Sequence, residues 1–171
     1  FARVALGTPN IDYNGRYCMS SAAAGQNRAF GLDRGLPFPV ADIAETQTLM
    51  LWGSNCAETM PPIMQWVYAQ RERGGQLIVV DPRQTDPARG ATLHLQPTPG
   101  TDLLLANGLL AVAAEQGLLD EPYITTRTEG FEELRRSLLS CDTTFVERVT
   151  GVSLDKQRRA VQLLAGVERS M

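Results

Sequence analysis

The sequence has 171 residues, of which 43% are hydrophobic and 20% are charged, and these values are typical of one soluble globular domain. A net charge of −3 and an aromatic content of 6% provide neither a basic surface nor a base-stacking surface, so no nucleic-acid partner is expected. No apolar run reaches the roughly 20 residues that a membrane span requires, so no membrane partner is expected either. The chain starts at Phe1 and is interpreted as a fragment of a longer protein.

The cysteines and the single histidine argue against several kinds of site. Cys18, Cys56 and Cys141 are widely spaced and form no CxxC pair, so neither a disulfide framework nor a zinc or iron–sulfur site is indicated within this chain. His94 is the only histidine, and any Ser-His-Asp or Cys-His mechanism would depend on it. It lies in residues 91–95, a segment with strand character, which favours an ordinary strand histidine over a catalytic one.

In chain order, the first feature is a polar, turn-prone stretch at residues 10–21 that leads into the small residues 22–25. This pattern places Cys18 near the N-terminus of a helix, where the helix dipole and Arg16 would favour the thiolate. A thiolate is a good ligand for a soft or high-valent metal. The alternative is a small buried hydrophobic residue, and the cysteine by itself favours that alternative.

Two short apolar runs, Thr48–Trp52 and Gln76–Val80, predict buried parallel strands, because each run ends in turn-forming residues. Between them, a Pro-Pro start and an apolar face predict a helix over residues 61–73. A strand, a helix and a strand in this order form a βαβ unit with a right-handed crossover. Residues 91–95 predict a third, shorter strand.

The rest of the chain is predicted to be helical. Thr101 is expected to cap a helix over residues 102–116, and Gly117 is expected to end it. Further helices are expected over residues 120–126, 130–139, 143–149 and 155–168. The predicted fold class is therefore α/β: a Rossmann-like parallel sheet flanked by helices, with a helical C-terminal portion, in a single domain over residues 1–171.

A nucleotide-type site is expected beyond the carboxyl ends of the strands, where open parallel sheets bind their ligands. The polar segments 53–59 and 81–86 follow the first two strands. Asp81, with Asp102 as a second candidate, can take a bidentate contact from a sugar or a guanine edge, and Arg83 can pair with a phosphate. The alternatives are a turn-forming acid, an acid that favours a helix dipole, and a solvated arginine. No GxGxxG or GxxxxGK[ST] motif is present, so neither NAD nor a P-loop is indicated.

Four blocks of the sequence, in this order, resemble those of the molybdopterin oxidoreductases that bind bis-molybdopterin guanine dinucleotide. They are Asn-Ile-Asp-Tyr-Asn-Gly-Arg-Tyr-Cys-Met-Ser-Ser at 10–21, Leu-Trp-Gly-Ser-Asn-Cys-Ala-Glu-Thr at 51–59, Val-Val-Asp-Pro-Arg-Gln-Thr at 79–85, and Pro-Gly-Thr-Asp at 99–102. Four blocks in the expected order are far more specific than any one of them.

The resemblance implies a role for particular residues of each block. Cys18 would ligate the molybdenum of the cofactor, and Met19 would lie near the substrate. The cofactor would also be held by Asn14, Trp52, Gly53, Ser54, Asn55, Glu58, Thr59, Val80, Asp81, Pro82, Arg83, Gly100, Thr101 and Asp102. The resemblance further implies an iron–sulfur cluster held by a missing N-terminal part. Cys56, at a position where the family often has Met or Pro, is interpreted as structural.

Met19 separates branches of this family, because formate dehydrogenase relatives usually have His after the metal cysteine. Cys-Met-Ser-Ser-Ala at 18–22 resembles the assimilatory, cytoplasmic nitrate reductases of bacteria. This implies reduction of nitrate to nitrite by oxygen-atom transfer, together with an electron donor and the remaining domains of the parent enzyme. Formate or another oxyanion is the alternative substrate, and a non-catalytic nucleotide-binding domain is the alternative of another class. The fragment alone is expected to be inactive.

Overall fold

The computed structural model describes residues 1–32, 35 and 38–171, which form two compact units, Phe1–Pro39 and Val40–Met171. Within the described ranges, no helix combines the length and the apolar character needed to cross a bilayer.

The first unit consists of short-range structure. A 3-10 turn, Asn14–Arg16, is followed by helix α1, Ser20–Phe30, which confirms the helix predicted after Cys18. The helix ends at Gly31, whose φ of 70° is the left-handed conformation that commonly follows a last helical turn. None of the described residues of this unit is buried, so these residues form no hydrophobic core among themselves.

The second unit is built on the predicted parallel sheet. Strands β1, Thr48–Trp52, and β2, Gln76–Val80, have the predicted bounds and pair in parallel, with Thr48 opposite Gln76 and Trp52 opposite Val80. Strand β3, Leu93–Leu95, pairs in parallel with β2 and gives the order β1-β2-β3. The prediction of a strand from residue 91 was two residues too long, because the Ala91 amide donates to the Ala88 carbonyl (3.3 Å) and closes a turn instead.

The segment between β1 and β2 contains a short helix, a 3-10 turn and a longer helix. Helix α2 spans Cys56–Thr59, the 3-10 turn spans Pro61–Ile63, and helix α3 spans Met64–Glu72. The helix predicted over residues 61–73 is therefore confirmed, but its first turn is 3-10 rather than α-helical. The two prolines lie in that first turn, where missing N–H groups leave no helical hydrogen bond unmade.

Two hydrophobic cores lie on opposite faces of the sheet, because successive side chains of β2 alternate between the faces. Ile78 and Val80 belong to one core, and Leu77 and Val79 belong to the other. The first core also contains Leu95, Leu105, Leu109, Val112, Val152, Ala160 and Val161. The second also contains Ile43, Leu49, Cys56, Met64, Val67 and Ala88. Helices therefore flank both faces of the parallel sheet, which confirms the α/β class that was predicted from the strands and helices.

The C-terminal portion is helical, as predicted. Short helix α4, Asp86–Arg89, precedes β3, and the remaining helices follow it: α5, Asp102–Glu115; α6, Glu121–Arg127; α7, Phe131–Leu139; α8, Thr143–Thr150; and α9, Leu154–Ala165. The prediction that the last helix continues to residue 168 was wrong. The Gln47 amide donates to the Arg169 carbonyl (2.9 Å), and the Met171 amide donates to the Thr48 carbonyl (2.9 Å). The chain end thus leaves the helix and runs parallel to β1.

Candidate cofactor-binding site

The carboxyl ends of β1 and β2 lie side by side, so the two polar segments that follow them start at the same edge of the sheet. The Gly53 amide donates to the Val80 carbonyl (2.8 Å) and extends the pairing one residue beyond β1. Gly53 then turns the chain with a φ of 61°, a conformation that side chains rarely adopt. No atom lies within 4 Å of the position that a β-carbon would take there. The turn leaves room for a ligand to approach the backbone closely.

Asn55 occupies the N-cap position of α2, but its side chain forms no capping hydrogen bond. Its backbone carbonyl accepts from the amides of Glu58 and Thr59, both at 3.0 Å. The side-chain oxygen Oδ1 is buried and has no hydrogen-bond partner among the described residues. Buried polar atoms without a partner are rare because each costs about 1–3 kcal/mol of stability. The amide oxygen is therefore a candidate acceptor for a bound ligand, whereas Ser54 is half-buried and Glu58 is exposed.

The segment after β2 starts with a tight turn at a buried carboxylate. Asp81 is only 5% exposed, and its Oδ1 accepts a hydrogen bond from the Arg83 amide at 2.7 Å. This bond matches the turn-forming alternative for Asp81 and orients its side chain at the sheet edge. Pro82 and Arg83 are exposed, and Arg83 forms no ion pair among the described residues. The arginine is therefore available to an anionic ligand.

Thr85 is a residue that the sequence analysis included in a block but did not select as a site residue. It is 7% exposed and precedes α4, and its Oγ1 is buried without a hydrogen-bond partner among the described residues. A threonine before a short helix is expected to cap that helix with its side chain. The sequence context of Thr85 therefore does not indicate that its hydroxyl lacks a partner among the described residues. Helices α2 and α4 contact each other, so Asn55 and Thr85 place two unpaired oxygens on neighbouring segments of the sheet edge.

The fourth block lies at the start of α5 and is connected to the end of β1. The Trp52 indole Nε1 donates to Asp102 Oδ1 at 2.9 Å, which joins residues 50 positions apart. Asp102 therefore has a specific partner besides the helix dipole. Thr101 occupies the predicted N-cap position, but the prediction that it caps the helix was wrong. Its hydroxyl donates to the Thr98 carbonyl at 2.7 Å, inside the turn that contains Gly100.

The first block lies in the other unit, at the start of α1. Cys18 is exposed, which excludes the buried-hydrophobe alternative in this structure. Met19 is the N-cap residue of α1 and is 40% exposed, and its amide donates to the Asn14 carbonyl at 3.0 Å. Arg16 forms an ion pair with Asp12 at 3.1 Å, so its charge is already paired rather than reserved for the thiol.

Cys56 is buried whereas Cys18 is exposed, and burial is expected of a structural cysteine. It is 1% exposed, and its Sγ lies 3.3 Å from the Met64 sulfur. Burial is the main cause that raises the pKa of the Cys56 thiol above its ordinary value, so the neutral form is favoured. In the part of the chain that the structure describes, no three His, Cys, Asp or Glu side chains come together as a metal site. A protein-only metal cage is therefore not formed there.

The residues at the sheet edge fit a polar, partly anionic ligand such as a dinucleotide. They offer an open glycine turn, an oriented carboxylate, and two buried oxygens and an arginine that have no partner in the described part of the chain. Uncharged and charged hydrogen-bonding groups of this kind suit the base, sugar and phosphate parts of a nucleotide. The site thus brings together most of the predicted cofactor residues of the second unit.

Comparisons with known proteins show the family of this chain. The family model for molybdopterin oxidoreductase matches residues 2–143. The assimilatory nitrate reductase catalytic subunit of Bacillus subtilis (strain 168) is 46% identical over 160 residues, covering 94% of this chain and 22% of that protein. Formate dehydrogenase H of Escherichia coli (strain K12) is 32% identical over 165 residues, covering 96% of this chain and 23% of that protein.

The fold is also similar to that of a solved structure. Acetylene hydratase from Pelobacter acetylenicus matches with a TM-score of 0.82 and 26% identity, over 96% of this chain and 22% of that one. The chain spans about a fifth of the length of these similar proteins. It therefore corresponds to one part of a much larger enzyme in each of them.

Proposed function

This chain belongs to the molybdopterin oxidoreductase family, and we propose that the full-length protein is a molybdenum-dependent nitrate reductase that converts nitrate to nitrite. The proposal is supported by the 46% identity to an assimilatory nitrate reductase catalytic subunit and by Met19, which follows the proposed metal ligand Cys18. In this proposal, the chain supplies the molybdenum-ligating cysteine and one guanine dinucleotide site. The remaining domains supply the rest of the cofactor site.

Cys18 is the proposed metal ligand, and its exposure at the start of α1 leaves the thiol free to bind. When bound, the molybdenum cofactor supplies the oxygen-atom and electron transfer, which no side chain of this chain can provide. Met19 and Asn14 are proposed to line the same region, because the Met19 amide is held by the Asn14 carbonyl. Their role is to position cofactor and substrate.

The nucleotide part of the proposal rests on two buried oxygens, Asn55 Oδ1 and Thr85 Oγ1, which have no hydrogen-bond partner within residues 1–32, 35 and 38–171. A ligand that hydrogen-bonds to them would offset a cost already present in the folded protein. Asp81 is proposed to accept from the guanine N–H pair, and Arg83 to pair with a phosphate. The guanine dinucleotide form of the cofactor fits these groups.

The site can be tested with a variant of Thr85, because the hydroxyl of this residue is buried without a hydrogen-bond partner among the described residues. Thr85→Val removes an unpaired buried hydroxyl, so we expect it to increase the free energy of unfolding by about 1 kcal/mol. The same change is expected to weaken binding of guanosine diphosphate by roughly tenfold, measured by calorimetry. Stabilisation without any change in binding would show that the hydroxyl does not contact the nucleotide.

The matched control is Thr150→Val. Thr150 is also buried, but its hydroxyl donates to the Val146 carbonyl at 2.7 Å and accepts from the Val152 amide at 3.2 Å. Its loss is expected to destabilise the chain by about 1 kcal/mol or more and to leave nucleotide affinity unchanged. We therefore expect opposite changes in the free energy of unfolding for the two variants, and a weaker affinity for guanosine diphosphate only in Thr85→Val.

The substrate is tested on the full-length protein. Steady-state rates with nitrate and with formate, measured side by side with an artificial electron donor or acceptor, are expected to show turnover of nitrate alone. Formate is the second candidate, because a formate dehydrogenase is 32% identical over 96% of the chain. Formate oxidation without nitrate reduction would replace the proposed substrate but keep the family.

The other features of the enzyme are proposed from the resemblance of the four sequence blocks to the family. Electrons are proposed to arrive through an iron–sulfur cluster in another part of the full-length protein, from a separate donor, in the cytoplasm. Metal analysis of the full-length protein distinguishes this proposal from a non-catalytic nucleotide-binding domain. A protein without molybdenum that still binds guanine nucleotides would favour the second.

A further inference from the structure

We infer that His94 and Gln96 of the β3 segment are positioning residues that hold the nucleotide-contacting segment 81–85 in its binding conformation. The His94 ring nitrogen Nε2 lies 2.8 Å from the Asp81 backbone carbonyl. The Gln96 side-chain amide donates to the Pro82 backbone carbonyl, also at 2.8 Å. This inference rests on the proposed function for the identity of the ligand, but the contacts themselves do not depend on it.

Three consecutive residues around the end of β3 hold two consecutive residues after β2. The Asp81 amide donates to the Leu95 carbonyl at 3.1 Å, and the Asp81 carbonyl faces the His94 ring. The peptide groups on both sides of Asp81 are therefore fixed by β3. Because the Asp81 carboxylate bonds to the Arg83 amide (2.7 Å), the same contacts also set the direction of that side chain.

The chemistry of the contact defines the state of His94. A backbone carbonyl only accepts hydrogen bonds, so the ring nitrogen Nε2 must carry the proton and donate. A nitrogen used in this way is not available as a general base toward a substrate. His94 is half-buried, and its own carbonyl accepts from Lys156 Nζ at 3.3 Å, which connects it to α9. The backbone of His94 is therefore held by the sheet and α9, and its ring contacts the ligand segment.

Such a support affects binding because a segment that is already ordered loses less conformational freedom when the ligand arrives. Removing the His94 donor is expected to release the Asp81 carbonyl and to increase the amplitude of motion of residues 81–85. The expected consequence is a fivefold to tenfold weaker affinity for guanosine diphosphate, roughly what one lost hydrogen bond produces.

The experiment compares His94→Leu with His94→Gln in the 171-residue chain. The side-chain amide nitrogen of glutamine can take the place of Nε2 and donate to the same carbonyl, whereas leucine cannot donate. Amide hydrogen exchange of segment 81–85 and calorimetric titration with guanosine diphosphate are measured for both. We expect roughly tenfold faster exchange and weaker binding in the leucine variant, and near-normal values in the glutamine variant.

Two further variants separate positioning from general destabilisation. Thr92→Val removes hydrogen bonds to Arg71 Nη1 (2.7 Å) and the Leu77 amide (3.2 Å) just before β3, and it is expected to leave exchange of segment 81–85 unchanged. Gln96→Met removes an exposed donor with little risk to folding and is expected to increase exchange at Arg83, next to the released Pro82 carbonyl.

The outcomes are distinguishable. Unchanged exchange of segment 81–85 in His94→Leu, or equal defects in the leucine and glutamine variants, would overturn the positioning role. If the wild-type chain binds no guanosine diphosphate, the proposed nucleotide site is contradicted. The exchange comparison still decides whether His94 holds the segment in that case.

Discussion

The two units of this chain differ in how their structure is stabilised. In Val40–Met171, two hydrophobic cores cover a parallel sheet, and the ligand segments are joined to that sheet by specific hydrogen bonds. In Phe1–Pro39, none of the described residues is buried, and helix α1 has 11 residues. A helix of that length is marginal without tertiary packing. The proposed nucleotide site thus lies on a folded core, whereas the described residues around Cys18 are held by local hydrogen bonds.

The largest expected difference between the units is in thiol accessibility. Cys18 is exposed and Cys56 is buried in a core, so labelling of Cys56 requires the second unit to open. We expect Cys56 to react with a thiol reagent about a thousandfold more slowly than Cys18 in the native chain. In denaturant, the two rates should become equal. Comparable rates in the native chain would show that the second unit is not stably closed.

The same cysteine gives a pH dependence with a defined sign. Because burial raises the pKa of the Cys56 thiol, the folded state favours its neutral form. The corresponding stabilisation is complete below the ordinary pKa of the thiol and is lost as the pH rises through the raised value. Cys56→Ala is expected to remove this alkaline decrease in the free energy of unfolding, measured by denaturant titration at several pH values. An unchanged pH profile would contradict this assignment.

Substitution of a large apolar residue should affect the second unit far more than the first. Leu105 is 0% exposed and lies in the core, whereas Leu6 is 63% exposed. Leu105→Ala is expected to cost about 2–5 kcal/mol of unfolding free energy, and Leu6→Ala less than about 0.5 kcal/mol. Urea denaturation followed by circular dichroism measures both. Similar effects of the two substitutions would mean that Leu6 is part of a stable core.

Two helical glycines give a smaller contrast of opposite sign. A β-carbon at Gly108 in α5 would lie 2.6 Å from Val146 Cγ1, whereas one at Gly25 in α1 would have no neighbour within 4 Å. Gly108→Ala is expected to cost about 1–3 kcal/mol through overpacking. Gly25→Ala is expected to strengthen α1 by roughly 0.5–1 kcal/mol, seen as increased helical circular dichroism without a change in the unfolding midpoint. A stabilising Gly108→Ala would contradict the packing of α5 against α8.

The smallest expected effect concerns one polar contact in each unit. Asp102→Ala removes the acceptor of the Trp52 indole and is expected to cost about 0.5–1.5 kcal/mol, whereas Asp102→Asn retains an acceptor and should cost less. Asp12→Asn weakens only an exposed ion pair with Arg16 and is expected to change stability by less than about 0.5 kcal/mol. Denaturation monitored by tryptophan fluorescence distinguishes these cases. Equal costs at the two positions would contradict the comparison.

The elements that could be predicted from the sequence are those specified by local patterns. The observed bounds of two strands were predicted from apolar runs that end at turn-forming residues, Thr48–Trp52 and Gln76–Val80. Gly166 directly follows α9 and is a local signal for its end, but the pairing of residues 169–171 with β1, more than 100 positions earlier, could not be predicted. Local helix patterns contain no information on such pairing.

The candidate site also contains features that could be predicted from the sequence and features that could not. The polar segments at the strand ends were predictable from the sheet and from the resemblance of the blocks to a family. The Trp52–Asp102 contact and the unpaired hydroxyl of Thr85 were not, because both depend on which atoms meet after folding. Thr85 in particular has the sequence context of an ordinary helix cap, and only its geometry identifies it as an available group.

The most direct test of the central claim is the molybdenum content of the full-length protein with Cys18→Ala, compared with Cys141→Ala as a control outside the proposed site. We expect Cys18→Ala to lose nitrate reduction and most of its molybdenum, and Cys141→Ala to keep both, as measured by metal analysis and nitrite formation. Unchanged molybdenum content and unchanged nitrate reduction in Cys18→Ala would contradict the assignment of this cysteine as the metal ligand.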